Sequence, residues 1–291
     1  MIALTIGLAV FVGIALGLLG GGGSILTVPL LAYVAGMDAK QAIATSLLVV
    51  GVTSAIGAIS HARAGRVQWR TGLIFGGAGM AGAFGGGLLA RFIPGTVLLI
   101  GFAVMMVATA VAMLRGRKNV EVTEGSHRLP VPKIVAEGLI VGLVTGLVGA
   151  GGGFLVVPAL ALLGGLPMPI AVGTSLIVIA MKSFAGLGGY LSSVQINWTV
   201  ALAVTAAAVA GALLGSRLTA KVDPEVLRKA FGWFVLAMSS VILAQEIHPS
   251  VGLVAAALTA VSAVMTFVCT RYARCPLRRL TGARTAGTAA A

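Results

Sequence analysis

The residues of this chain that could do chemistry are two glycine clusters, two hydroxyl pairs and one lysine. The first cluster is Gly20, Gly21, Gly22 and Gly23, closed by Ser24; the second is Gly149, Gly151, Gly152 and Gly153. Each is followed by a proline, Pro29 or Pro158, and then by a hydroxyl pair, Thr45-Ser46 or Thr174-Ser175. Lys182 stands in the apolar string SLIVIAMKSFAGLGG. Glycine lets a backbone leave helical geometry and lets a ligand approach closely. Proline fits the first turn of a helix that restarts after the break, and Ser24 can cap it, with Gly153 as its tolerable counterpart. Unpaired N–H groups and the positive dipole end at such a helix start favour negative charge. Hydroxyls and an ammonium add donors, so the pattern points to holding an anion rather than to making bonds.

Other roles compete. Gly13/Gly17, Gly142/Gly146, Gly82/Gly86 and Gly211/Gly215 are small-xxx-small pairs, expected at helix contacts. Thr and Ser in membrane helices bond back to their own backbone or to a neighbouring helix, so the hydroxyl pairs have both a structural and a ligand-contacting reading. An ammonium deep in a membrane helix is costly and faces a cavity or a partner. Anion binding, structural pairing and snorkelling are all open for Lys182. Glu137 is expected to pair locally with Lys133, Arg91 and Arg217 to snorkel, and Trp69 and Trp198 to anchor at the interface. The G-x-G-x-x-G look of the first cluster lacks the βαβ context of a dinucleotide site. His61, His127 and His248 fall in or near loops, far apart in sequence, and Cys269 and Cys275 match no zinc or redox spacing. No cofactor, metal or enzymatic activity is expected.

The elements that must position these residues are membrane helices. The chain is 58% hydrophobic and 9% charged, with mean hydropathy +1.08, against roughly 25% charge in soluble domains. Its net charge of +13 resides at segment ends and in loops. That distribution suits positive-inside topology and anionic lipid rather than nucleic acid. The first segment reads as a retained membrane segment, without a positive n-region or an A-x-A site.

Gly17 to Gly36 returns as Gly146 to Gly165, in a gapless alignment that sets Pro29 on Pro158 and leaves eleven of twenty positions identical. The same constant offset pairs Trp69 with Trp198 and Phe102 with Phe231. A long repeat of this kind is a duplicated unit, and paired interruptions in the two halves point to a substrate site. Apolar segments fall at 2–19, 24–36, 42–60, 71–91 and 96–114, and again at 133–149, 153–165, 171–191, 197–219 and 226–245, with an unpaired segment at 250–271. The loop after segment three carries Arg63, Arg66 and Arg70, whereas its counterpart SSVQIN is uncharged. The loop after segment four reverses this bias, RFIPG against KVDPEVLRK. Equivalent loops therefore lie on opposite sides, with 61–70, 115–132, 217–229 and the basic tail in the cytoplasm. Three crossings per half then require the first two segments of each half to enter and return. Ser24 to Gly36 is only about 20 Å long as helix, which favours a broken or re-entrant hairpin. The expected fold is an all-α polytopic membrane protein of two inverted-topology repeats. Each repeat is a Gly-rich hairpin plus three spanning helices, and an extra C-terminal helix follows. Its parts are a first repeat 1–114, a cytoplasmic linker 115–132, a second repeat 133–245, a further helix 246–272 and a basic tail 273–291.

GLLGGGGSILTVPLL with AIATSL, and GLVGAGGGFLVVPALALL with AVGTSL, resemble the TauE/SafE family of sulfite-exporter or sulfonate-permease-like membrane proteins, over nearly the whole chain. The resemblance implies transport of small anions, often sulfur-bearing ones such as sulfite, sulfonates or sulfoacetate-like compounds, in a bacterial cytoplasmic (inner) membrane. With the residues above it gives a secondary carrier or facilitator that binds its anion between the repeats. The candidate site comprises the two glycine clusters with Ser24, the pairs Thr45-Ser46 and Thr174-Ser175, and Lys182. An anion channel on the same site is the alternative. Expected partners are the anion and the lipid bilayer; coupling to a proton or sodium ion is open, and the scarcity of buried acids favours a simple or potential-influenced carrier.

Overall fold

The computed structural model describes residues 2–19, 24–115, 131–149, 168–218 and 224–247, with isolated positions at 156, 160, 166, 250, 253–257 and 259. All regular structure among the described residues is helical. The helices are α1 (Ile2–Leu19), α2 (Ser24–Val34), α3 (Ala39–Arg63), α4 (Trp69–Leu89), α5 (Gly95–Arg115), α6 (Val131–Val148), α7 (Met168–Leu191), α8 (Trp198–Leu218) and α9 (Pro224–Glu246). Helix starts at Ile2, Ala39, Trp69 and Gly95 recur at Val131, Met168, Trp198 and Pro224, each displaced as Pro158 is from Pro29. The offset legible in the glycine clusters thus extends to four helix starts.

Among the described residues, four helices are long and apolar enough to cross a bilayer: Ala39–Arg63, Trp69–Phe92, Ile170–Leu191 and Trp198–Ser216. Large side chains on their outer surfaces, such as Phe84, Leu202 and Leu213, stand exposed, as helices facing lipid require. Trp69 and Trp198 open α4 and α8, exposed at 55% and 51%. The α3 helix begins at Ala39, ahead of its expected limit at position 42. Asp38 has an extended backbone and accepts a hydrogen bond from the Lys40 N–H at 3.1 Å, an N-cap that hydropathy alone does not register.

The short limb α2 is irregular. A 3-10 turn at 24–26 leads into one α turn at Thr27–Pro29 and a π turn at Leu30–Val34. The cap position of the α turn is therefore Leu26, without a side-chain bond, rather than Ser24. The 3-10 entry moves the start of the α turn to Thr27 and leaves Pro29 inside that turn. A helix of this length reaches about 16 Å, well short of a bilayer core. Gly36, at φ +68°, ends the limb in the left-handed conformation.

Packing pairs the two halves rather than separating them. The α1 helix lies on α8, α6 on α4, α3 on α7 and α5 on α9. Close approach explains the paired glycines. A Cβ at Gly13 would strike the Ala208 carbonyl oxygen and one at Gly142 the Gly79 carbonyl oxygen. Gly211 meets Val10 as Gly82 meets Leu139, and Gly215 meets Ile14 as Gly86 meets Leu143. Every member of these contacts has its counterpart at the repeat offset, and small residues are what let helix backbones approach this closely in lipid. The start of α3 shares a face with the start of α8, where Gln41 Nε2 donates to the Gln195 carbonyl at 3.2 Å. The end of α4 joins that face, as Lys40 Nζ donates to the Arg91 carbonyl at 3.1 Å. The end of α3 and the starts of α4 and α7 meet at the opposite face, where Gly173 abuts the Arg66 carbonyl. Consequently α3 and α7 run antiparallel.

Candidate functional site

Lys182 is the charged group that the fold buries most deeply among the described residues. It lies near the middle of α7 and is 1% exposed, which removes snorkelling from its three readings. Its Nζ donates to Thr145 Oγ1 at 3.2 Å. The Thr145 hydroxyl in turn donates to the Val141 carbonyl at 2.7 Å, with the Gly142 carbonyl at 3.1 Å. An ammonium has three N–H groups and a hydroxyl accepts without bringing charge. Among the described residues no carboxylate forms a salt bridge with Lys182. Gly79 of α4 packs beside the stem of Lys182, so the lysine sits where α4, α6 and α7 meet. Thr145 escaped the sequence reading because it lies in α6 with no polar neighbour in sequence to mark it.

One turn further on, α6 ends at the second glycine cluster. Gly149 adopts φ +73°, and its N–H donates to the Thr145 carbonyl at 2.9 Å, the single bond of an αL helix terminus. Two other carbonyl oxygens of this end accept hydroxyls from other helices. Tyr190 Oη donates to Leu147 at 2.5 Å. Ser46 Oγ donates to Gly149 at 2.7 Å and to Ile43 at 2.8 Å, sharing one proton. Ser46 and Gly149, both singled out from sequence, thus meet directly. A Cβ on Gly149 would strike Ile43. Gly149→Ala is expected to destabilise the protein by about 2–4 kcal/mol, combining left-handed backbone strain with overpacking; thermal unfolding in detergent measures this, and an unchanged melting temperature would contradict it.

The other candidates spread along the depth of the molecule. Thr174 Oγ1 accepts the Gln68 N–H at 2.9 Å at the face where α7 starts. Ser175 Oγ donates to Val172 of its own helix at 2.7 Å. Thr45, near the other face, lines a cavity of about 240 Å³ together with Thr5, Gln41, Asn197 and Val204. The repeat counterparts of those four residues are Ile134, Ile170, Gln68 and Phe75, three of them apolar. There the Gln68 N–H bonds to Thr174 Oγ1. Ser24 is fully buried. Gly20, Gly21, Gly22, Gly23, Gly151, Gly152 and Gly153 lie outside the described residues, as do the 250–271 segment for the most part and the Lys133 side chain. The helices preceding the two clusters end at different depths. Gly17 packs on Ala212 and Ser216, far along α8, whereas Gly149 packs on Ile43, near the start of α3.

The middle depth belongs to the crossing of α3 and α7. Gly186 faces Leu47 as Gly57 faces Leu176, the same contact seen from each half, at 3.4 and 3.5 Å from an added Cβ. Thr53 and Lys182 correspond across this crossing, and so do their neighbours Ser54 and Ser183. Ser54 is 2% and Ser183 0% exposed, and neither hydroxyl has a hydrogen-bond partner among the described residues. A buried hydroxyl left unmade costs about 1–3 kcal/mol. The repeat offset that sets Lys182 on Thr53 carries this signal in the sequence, one position short of the pair.

The family pattern described as "Sulfite exporter TauE/SafE" matches residues 5–242. A protein of Xylella fastidiosa named "Probable membrane transporter protein" is 36% identical over 242 residues, covering 81% of this chain and 92% of its own length. A Bacillus subtilis protein, "Probable membrane transporter protein YdhB", is 29% identical over 222 residues, covering 75% of this chain and 90% of its own. No solved structure matches. With apolar spanning helices and a family match over most of its length, the chain belongs to the TauE/SafE family and is an integral transporter of the bacterial inner membrane rather than an enzyme.

Proposed function

We propose that this transporter carries small oxyanions, sulfur-bearing ones such as sulfite, sulfonate or sulfoacetate, between two inverted repeats spanning 1–114 and 133–245. The observation that carries the reading is Lys182, buried near mid-depth with one neutral hydroxyl as its described partner. A cation so placed attracts an anion strongly, because low-dielectric surroundings screen it little. Inversion is supported by the antiparallel course of α3 and α7 and by the exchange of packing partners between halves. The glycines at 20–23 and 151–153 belong to the site on sequence grounds, as helix starts that favour negative charge. The arginine bias makes the Thr45 cavity external and the Gln68–Thr174 bond cytoplasmic. A cavity lined by Thr5, Gln41 and Asn197 at one face, against the largely apolar counterparts of those residues at the other, favours a carrier over a channel.

Flux of sulfite, thiosulfate, sulfonates and carboxylates into proteoliposomes tests the proposal. Saturable uptake of at least one sulfur oxyanion is the expected result. Absence of flux for every anion, with the protein reconstituted and folded, would sink it; non-saturating flux with single-channel currents would replace the carrier by a channel.

A further inference from the structure

Hydroxyl side chains in membrane helices ordinarily bond back to their own helix, and most here do so. Thr53, Thr109, Thr205, Ser239 and Ser240 all donate to a carbonyl one turn earlier. Among the described residues Ser54 and Ser183 make no such bond, although both are buried in the same kind of helix. They occupy equivalent positions in the two halves. Ser54 lies one turn from both Gly51 and Gly57, the α3 positions that face Phe184 and Leu176 of α7, so it shares their face. Ser183 lies one turn from Gly186, which faces Leu47 of α3. Both hydroxyls therefore lie on the facing sides of the α3–α7 crossing, and Ser183 directly follows Lys182 in α7.

We propose that Ser54 and Ser183 form a paired donor station for an oxyanion at the crossing of α3 and α7, adjoining Lys182. Each hydroxyl has one proton to donate, and an oxyanion of the sulfite or sulfonate type offers several acceptor oxygens to two donors approaching from opposite helices. Placing one donor in each half lets the station form and part as the halves shift. The inference rests on the anion-carrier reading and adds the groups that recognise oxygen geometry, as distinct from the group that supplies charge.

The test is sulfite binding by purified full-length protein in detergent, measured by calorimetry, alongside thermal unfolding without ligand. Ser54→Ala and Ser183→Ala are each expected to weaken sulfite binding at least about tenfold, the loss of a hydrogen bond to a charged ligand. Neither should lower the unfolding temperature, because the hydroxyl removed makes no bond among the described residues. A serine needed only for packing or back-bonding would show the opposite pattern. If either alanine variant fails to fold, Ser54→Cys and Ser183→Cys, close in size but weak donors, should show the same loss of affinity. Wild-type affinity in the folded variants, with Lys182→Ala weakened, overturns this inference and leaves the carrier reading standing. Absence of sulfite and sulfonate binding by the wild-type protein overturns both.

Discussion

Lys182→Met is expected to reduce sulfur-oxyanion flux in proteoliposomes about 30-fold or more while leaving the protein folded. The magnitude follows from about 2 kcal/mol for a charge-assisted hydrogen bond to the anion. Methionine keeps much of the length and apolar stem of lysine, so the change isolates the ammonium from the packing against Gly79. Stability should be unchanged or raised, since removing a buried charge that has no counter-charge among the described residues relieves a desolvation penalty. A structural role predicts otherwise. Were Lys182 there to hold α7 to α6 through Thr145, Lys182→Met and Thr145→Val would each lower the unfolding temperature and reduce flux only in proportion to lost protein. Unfolding in detergent and flux per folded molecule separate these outcomes, and undiminished flux in Lys182→Met removes the lysine from the transport path.

Much of the fold was legible because it is periodic. The offset that carries the first glycine cluster onto the second also locates four helix starts, and the small-xxx-small pairs are where α1 meets α8 and α4 meets α6. Legibility failed where a property depends on how two helices cross. Nothing in the spacing of α6 and α7 brings Thr145 to Lys182, because the contact is set by interhelical rotation. That Ser54 and Ser183 have no partner among the described residues is likewise a fact of three dimensions. The hydroxyl pairs that sequence did single out illustrate the converse. Equivalent positions Thr45 and Thr174 have different surroundings, a cavity shared with Thr5 and Gln41 in one case and a bond from Gln68 in the other. A repeat predicts equal backbones, but the side chains around them have diverged, with Val204 opposite Phe75 and Gln41 opposite Ile170.

The largest stability effect is expected at the exchanged helix pairs, and it bears on the proposed carrier motion. A Cβ at Gly142 collides with backbone of α4, at the Gly79 carbonyl and Cα, so no side-chain rotamer can relieve it and the helices must part. Overpacking against yielding side chains costs typically about 1–3 kcal/mol. Against backbone the upper end is the minimum, so Gly142→Val should cost at least about 3 kcal/mol. Gly13→Val should cost a similar amount, because Gly13 meets Ala208 of α8 in the same way. Gly101→Val and Gly85→Val serve as controls, with nothing within 4 Å of an added Cβ, and are expected to stay within about 1 kcal/mol of wild type. Reversible unfolding in mixed micelles would rank the four, and Gly142→Val as stable as Gly101→Val would refute the close approach. The ranking matters for the proposed carrier because α1–α8 and α4–α6, joined by glycine contacts, would then move as blocks. Contact between α3 and α8 is sparser than between α4 and α7, and the Thr45 cavity lies in that looser seam. On the carrier proposal, the seam beside α3 is where the blocks rock, with the α3–α7 crossing as the pivot they share.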